Sequence, residues 1–292
     1  MADEWTVIGL LQWTRQFFEK KGIDTPRLDA EVLLAHVLDT DRFHLYAGFD
    51  RKPTQEQLAR YRELVRLRSE RCPTQYLVGR CEFYSLAFKV TRDVLVPRPE
   101  TEHLVEAAIR LAGSMQQPVI VDIGTGSGCI AICAAVKCPT AKVYATDISP
   151  AALSVAGENA AAHGVAERIR LLAGDLFAAL DGLGLEGNVN VLVSNPPYVS
   201  EGDLAAAMPE VRDWEPRVAL CGGPDGLDVI RRIVAGAGRF IGPGGWLLLE
   251  IGTGQAEAAR RIVAEHLPCE QIDLLPDLQK VPRVLAAKLA AK

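Results

Sequence analysis

Residues 119 to 128 read Val119-Ile120-Val121-Asp122-Ile123-Gly124-Thr125-Gly126-Ser127-Gly128. Val119 to Asp122 has the apolar, β-branched composition of a buried strand and ends on an acid. Glycines at alternate positions follow, and the apolar run from Gly128 to Lys137 then has helical length. Glycine lets the backbone turn sharply and lets a ligand approach it closely. Strand, glycine turn and helix in that order open a doubly wound α/β unit. A glycine turn used only for packing is the competing reading.

Downstream the alternation continues. Strands are expected at Lys142–Asp147, Arg168–Ala173, Val189–Ser194 and Trp246–Ile251, and helices at Pro150–His163, Leu227–Phe240 and Gln255–His266. Ser149 supplies an N-cap and Gly164 a stop for the first of these helices. Gln271–Leu275 and Arg283–Ala287 follow as two more strands, too close together for a parallel crossover, so they pair antiparallel. The expected architecture is α/β, a mostly parallel seven-stranded sheet of Rossmann-like type with an antiparallel pair at its end.

Upstream the pattern is helical. Trp5 to Lys20 sets Leu10, Leu11, Trp13, Phe17 and Phe18 at helical spacing, with Gly22 as a C′ glycine. Thr25-Pro26 starts a helix whose buried stripe is expected at Leu28, Val32, Leu33 and Val37. Thr54 and Gln57 form a capping box for a helix through Arg71, which Cys72-Pro73 ends. Four or five short helices therefore precede any strand. Cys81 to Val90 then alternates and is aromatic-rich, a β-hairpin pattern, and Pro99 can open a helix running to Leu111. The expected division is a helical domain over 1–80, a β-hairpin linker over 81–98 and the α/β domain over 99–292.

The bulk numbers narrow the function. The chain has 292 residues, is 49% hydrophobic and carries a net charge of −5. No global polycation exists for nucleic acid, although residues 51–80 hold eight basic side chains against three acidic ones. That segment is +5 and the remainder −10. A solvated helix with Arg/Glu pairs explains it, and it leaves room for a weak contact with RNA or the ribosome. The seven cysteines show no C-x-x-C spacing, and the histidines at 36, 44, 103, 163 and 266 show no metal spacing. Met1-Ala2-Asp3-Glu4-Trp5 is acidic, unlike a signal or transit peptide, and no apolar run is long enough to span a bilayer. A cytoplasmic protein with reduced thiols is expected, with no metal and no membrane partner.

Asp122 sits badly for a pyrophosphate, which a carboxylate repels, but well for a ligand bearing an ammonium group. Cys129 occupies the position of the third glycine of a dinucleotide fingerprint, which disfavours an NAD-dependent oxidoreductase. Asp147 ends the second sheet strand, where an acid can accept both ribose hydroxyls. S-adenosylmethionine offers the matching pieces: a ribose, an α-amino group and a sulfonium, with no phosphate. By position Asp175 could accept the adenine amino group while Leu176 packs on the ring; a helix N-cap is the rival role for Asp175.

Ser194-Asn195-Pro196-Pro197-Tyr198 follows the fourth sheet strand. Its prolines bar both a ladder partner and an immediate helix, and they fix the carbonyls beside them. The Asn195 side-chain oxygen and the Pro196 carbonyl form a preorganised pair of acceptors with the Tyr198 ring alongside, a receptor for a planar –NH2 group. A plain Pro-rich turn is the alternative.

Taken together these residues resemble the HemK/PrmC glutamine methyltransferases, which modify peptide-chain release factors. The likeness runs through Pro26-Arg27-Leu28-Asp29-Ala30-Glu31, Gln75-Tyr76-Leu77-Val78-Gly79, Phe83-Tyr84 and Pro97-Arg98-Pro99-Glu100-Thr101-Glu102. It continues through the Asp122–Gly128 loop and Asn195–Tyr198 to Glu215-Pro216, Gly226-Leu227, Pro243-Gly244-Gly245 and Glu250-Ile251-Gly252. Asn-Pro-Pro-Tyr alone is shared with adenine-N6 methyltransferases. The resemblance implies a class I methyltransferase sheet with a small substrate-recognition domain; a monomer is expected. It implies S-adenosylmethionine at Gly124, Thr125, Gly126, Ser127, Gly128, Asp147, Asp175 and Leu176, and the glutamine of a Gly-Gly-Gln motif at Asn195, Pro196, Pro197 and Tyr198. Leu176 stands where some members carry tryptophan, and the turn Asp277–Arg283 lacks a glycine often found there. Two rivals stay open: an adenine-N6 methyltransferase acting on DNA or RNA, which needs a basic track, and a non-catalytic assembly factor on the same scaffold.

Overall fold

The computed structural model describes residues 5–291; Met1–Glu4, on which the reading of an acidic leader-free N-terminus rests, lie outside them. The chain divides into two compact units, one of Met1–Arg80 with Met208–Trp214, the other of Cys81–Ala207 with Glu215–Lys292. The hairpin expected as a linker is counted with the second unit, and the seven-residue segment from Met208 with the first.

The first unit holds α1 (Val7–Lys20), α2 (Pro26–Val37), α3 (Arg42–Ala47), α4 (Gln55–Ser69) and α5 (Thr74–Val78). Thr54 and Gln57 do form the capping box of α4. Leu10, Leu11 and Phe18 face the core, but Trp13 is exposed and Thr14 is buried in its stead. The stripe expected on α2 is half right. Leu33 and Val37 are buried, whereas Leu28 is exposed and two acids, Asp29 and Glu31, turn inward. Each buried acid has cationic partners: Asp29 accepts from Arg68 at 2.7 Å, and Glu31 from Arg27 at 2.7 Å and from Arg42. Paired in this way, a buried carboxylate is tolerated on a face that hydropathy would assign to leucine. Arg68 and Arg71 also hold Glu210, on the short helix Pro209–Arg212 of the Met208–Trp214 segment. Arg66 pairs with Glu63 and Glu70. Within residues 51–80, Arg66, Arg68 and Arg71 are thus committed to carboxylates.

In the second unit β1 (Arg80–Phe83) and β2 (Leu86–Lys89) form the hairpin. Tyr84 and Ser85, both with positive φ, make a two-residue turn of the primed kind that suits strand twist. The main sheet comprises β3 (Val119–Ile123), β4 (Lys142–Asp147), β5 (Ile169–Ala173), β6 (Val189–Ser194), β7 (Ile241–Glu250), β8 (Cys269–Pro276) and β9 (Pro282–Leu289), in the order β5-β4-β3-β6-β7-β9-β8. All pairs are parallel except β7–β9 and β9–β8. β7 begins earlier than composition suggests, crossing Gly242–Gly245 with a register shift against β6. In the β8–β9 turn Lys280 takes the left-handed conformation where glycine is common. Asp277 compensates, accepting from the amides of Gln279 and Val281 at 2.8 and 2.9 Å.

Successive strand residues are buried on opposite faces, which is why the strands read as continuous apolar runs. Ile120, Val191 and Val193 pack with α6 (Thr101–Ala112) and α7 (Cys129–Lys137). Val121, Leu192, Leu247 and Leu249 pack with the helices Asp228–Phe240 and Ala256–His266. The strand order reverses between β3 and β6, so the loops after these strands diverge and leave a crevice at their carboxyl ends.

Candidate active site

Two loops build that crevice, one after β3 and one after β6. In the first, Gly124, Gly126 and Gly128 all have positive φ. At Gly124 and Gly126 a Cβ would meet nothing within 4 Å, so these positions border open space. At Gly128 it would meet Ile132 Cδ1 at 2.9 Å and Ala156 Cβ at 3.1 Å. Gly128 therefore serves packing, and its two predecessors serve the cleft.

Asp122 lies behind this loop, fully buried, with Oδ2 accepting from the Thr125 hydroxyl at 2.6 Å. Burial pushes its pKa up to about 7 against the pull of that hydroxyl and the Ala131 amide. Its Oδ1 still completes no hydrogen bond. A buried acceptor without a donor costs about 1–3 kcal/mol, so the site suits a cation or a further donor. Asp147 at the end of β4 is held by backbone: Gly126 N donates to Oδ2 at 2.8 Å and Ser149 N to Oδ1 at 2.9 Å. Each oxygen keeps a lone pair for a ligand hydroxyl.

The cleft is lined by Gly124, Thr125, Gly126, Ser127, Asp147, Asp175, Leu176, Asn195 and Pro197 among the residues expected from the sequence. Asp122, Gly128, Pro196 and Tyr198 do not line it; Asp122 and Gly128 are buried beneath the glycine loop, and Pro196 is buried at the end of β6. Asp175 makes no N-cap bond. It pairs instead with Arg232 at 2.6 Å, so an adenine amino group would share that carboxylate with a guanidinium. Leu176 adopts a left-handed backbone, which its β-carbon makes costly, and lines the cleft beside it.

Sequence reading did not single out Ile148, an exposed apolar side chain in the cleft next to Asp147. Arg98 also lines it, paired with Glu215, which is buried. Burial raises the Glu215 pKa, with Arg98 drawing it down. Both arginines of the cleft are thus already neutralised by carboxylates. That charge pattern suits a ligand without phosphate.

The second loop is rigid. Asn195 Nδ2 donates to Thr101 Oγ1 at 3.1 Å, and the Tyr198 hydroxyl donates to Glu250 Oε1 at 3.0 Å. Tyr198, expected to lie along the substrate's –NH2 group, is tied by its hydroxyl to Glu250 and is not among the residues that line the cleft. Gln255 Nε2 donates to the Tyr198 carbonyl at 2.9 Å. Gly226, at positive φ, lies so close that a Cβ there would fall 2.3 Å from the same carbonyl. Only glycine fits that position.

Residues 9–79 match the PrmC N-terminal domain family, and residues 102–210 the Methyltransferase small domain family. A release factor glutamine methyltransferase of Rhodopirellula baltica is 42% identical over 290 residues, covering 98% of this chain and 97% of that protein. One from Geobacter sulfurreducens is 46% identical over 253 residues, covering 87% and 86%. Among solved structures, the hMettl16 catalytic domain bound to a MAT2A 3′UTR hairpin matches with TM-score 0.55 at 14% identity, covering 82% of this chain and 85% of that one. That likeness bears on the fold alone.

Proposed function

The chain belongs to the release factor glutamine methyltransferases, and we propose that its substrate nitrogen is the side-chain N5 of the glutamine in a Gly-Gly-Gln motif, received at Asn195. The enzyme is an S-adenosylmethionine-dependent methyltransferase acting on release factors. The observation that carries the assignment is the Asn195 amide. Its NH2 donates to Thr101, which leaves Oδ1, an acceptor, for a ligand of the cleft that Asn195 lines.

When bound, S-adenosylmethionine supplies a methyl group activated by its sulfonium. Gly124 and Gly126 leave room for it against the backbone, Asp147 receives the ribose hydroxyls, and the buried Asp122 favours its ammonium from behind the loop. Asp175 and Leu176 border the adenine together with Ile148. A carboxamide nitrogen is a poor nucleophile because its lone pair is delocalised. Asn195 Oδ1, which lines the cleft, accepts one of its protons and so fixes its orientation, whereas the buried Pro196 does not line the cleft. The same fixed dipole stabilises positive charge as it grows on nitrogen. The proton can leave after the transfer, so no carboxylate base is needed beforehand.

Residues 1–80 serve as the release-factor recognition domain in this reading, with 81–98 linking them to the catalytic domain. The enzyme works as a monomer in the cytoplasm, where release factors act. Any contact of residues 51–80 with RNA or the ribosome is weak, since Arg66, Arg68 and Arg71 are already paired. No described helix is long and apolar enough to cross a membrane.

The test is to incubate the full chain with S-adenosylmethionine and a release factor, intact or with the Gly-Gly-Gln glutamine replaced by alanine. A mass gain of one methyl on the intact substrate only is expected. Methyl transfer to nucleic acid in its place would sink the reading.

A further inference from the structure

The hairpin strand β2 ends at Lys89, and among the described residues no strand lies along its far edge. One side chain takes a strand's place there. Asn159, on helix α8 (Pro150–Ala162), is 2% exposed. Its Oδ1 accepts from the Lys89 amide at 2.7 Å, and its Nδ2 donates to the Lys89 carbonyl at 3.0 Å. Paired residues of an antiparallel ladder exchange the same two bonds. The second proton of Nδ2 goes elsewhere, to the Ser127 carbonyl at 2.8 Å.

Ser127 belongs to the glycine loop, is buried and lines the cleft. The loop is thus held at two points, by Asp147 at the Gly126 amide and by Asn159 at the Ser127 carbonyl. One turn earlier on α8, Ala156 packs against Gly128. Beyond Lys89 the chain runs on to Asp93, Val94, Leu95, Pro97 and Arg98, which line the same cleft. One amide therefore joins the glycine loop to the root of a second cleft-lining segment.

A carbonyl can only accept, and a backbone N–H can only donate. The three backbone groups around Asn159 demand one acceptor and two donors, which among side chains of this length only asparagine supplies. Its partners also dictate which way round the amide lies. Aspartate has the same shape but lacks the donors.

We propose that Asn159 is a positioning residue for S-adenosylmethionine, holding the Ser127 carbonyl and the Lys89 end of the hairpin in one arrangement so that the cleft is formed before the cofactor arrives. The inference rests on the cofactor cleft described above and not on which nitrogen is methylated. Glu158, the neighbouring residue of α8, provides a control, because it pairs with the Lys89 ammonium at the surface.

The test compares Asn159→Ala, Asn159→Asp and Glu158→Ala in the full chain. Calorimetry gives the S-adenosylmethionine Kd, and kcat is measured with a release factor at saturating cofactor. Asn159→Ala should raise Kd about 10–100-fold, the scale of leaving a buried carbonyl unpaired. Its kcat should stay within about threefold of wild type, the split expected when binding alone is lost. A packing role predicts wild-type affinity in the isosteric Asn159→Asp; the proposal predicts a Kd at least about tenfold higher, because one or both donors are gone. Glu158→Ala loses only an exposed ion pair and should stay within about twofold. Hydrogen exchange of the wild type gives a reading free of any variant. S-adenosylmethionine should slow exchange of the Lys89 amide about fivefold or more, although Lys89 does not line the cleft.

Wild-type affinity in Asn159→Ala or Asn159→Asp, kcat falling in step with affinity, an equal loss in Glu158→Ala, or an unchanged Lys89 amide would each overturn the proposal. A wild type that binds no S-adenosylmethionine would fail the functional reading and take the inference with it. Binding by the wild type with the same Kd in Asn159→Ala would fail the inference alone.

Discussion

The loops after β3 and β6 solve opposite problems with opposite residues. The first accepts a ligand by subtraction: Gly124 and Gly126 remove side chains and adopt φ values that few others tolerate. The second accepts by fixation: two prolines, an asparagine tied to Thr101 and a tyrosine tied to Glu250 leave little freedom. Behind each stands a buried acid held by a neighbouring hydroxyl, Asp122 by that of Thr125 and Glu250 by that of Tyr198. In the function proposed above, the glycine loop has charge behind it because its ligand is cationic, and the proline loop receives a neutral amide.

The two loops should therefore separate cleanly on mutation. Asn195→Ala should lower kcat by about a thousandfold or more, the scale of losing a preorganised electrostatic group, with the cofactor Kd almost unchanged in calorimetry. Equal damage to both quantities would erase the distinction between the loops. On the glycine side, the pKa of Asp122 near 7 sets a sign. Below that pH the carboxyl is protonated and neutral, and its attraction for an ammonium is lost. S-adenosylmethionine affinity in the wild type should fall as pH drops below about 7, by up to about tenfold per unit. Asp122→Asn should be weak throughout and flat over the same range, and a parallel slope in that variant would assign the titration elsewhere.

Gly126→Ala asks an L-residue to hold φ +56. The strain, about 1–2 kcal/mol, should weaken cofactor binding roughly tenfold while leaving kcat at saturating cofactor close to the wild-type value. Pro197→Ala should have the smallest effect. Loss of backbone stiffness, about 0.4–1 kcal/mol, predicts a two- to fivefold fall in kcat with no change in cofactor Kd.

The sheet, its antiparallel end and both loops were legible because each rests on local chemistry: apolar runs, glycines at set positions, a proline pair. Legibility failed where the partner lies far along the chain. Asp29 and Glu31 sit at positions that helical spacing assigns to solvent, and only Arg68, Arg27 and Arg42 make their burial tolerable. Local sequence offers Asp175 an adenine contact or an N-cap, and gives no sign of Arg232, 57 residues away, which pairs with it. Glu250 and Tyr198 both fell within motifs quoted from the sequence, and nothing local indicates that they meet. Ile148 went unnoticed for a simpler reason: an apolar residue after a strand's last acid looks like any other strand end.

The antiparallel end of the sheet has a consequence for biosynthesis. β9 pairs with β7 on one side and β8 on the other, yet it emerges from the ribosome after both. Until residues 282–289 appear, β7 offers Leu247, Leu248 and Leu249 on an unpaired edge, and β8 has no correct neighbour to join. Exposed strand edges of that kind invite pairing with other chains. The catalytic unit therefore passes through a late, vulnerable stage during translation. Glu250, at the end of β7 and paired with Val284, gains its permanent surroundings only when that stage is over.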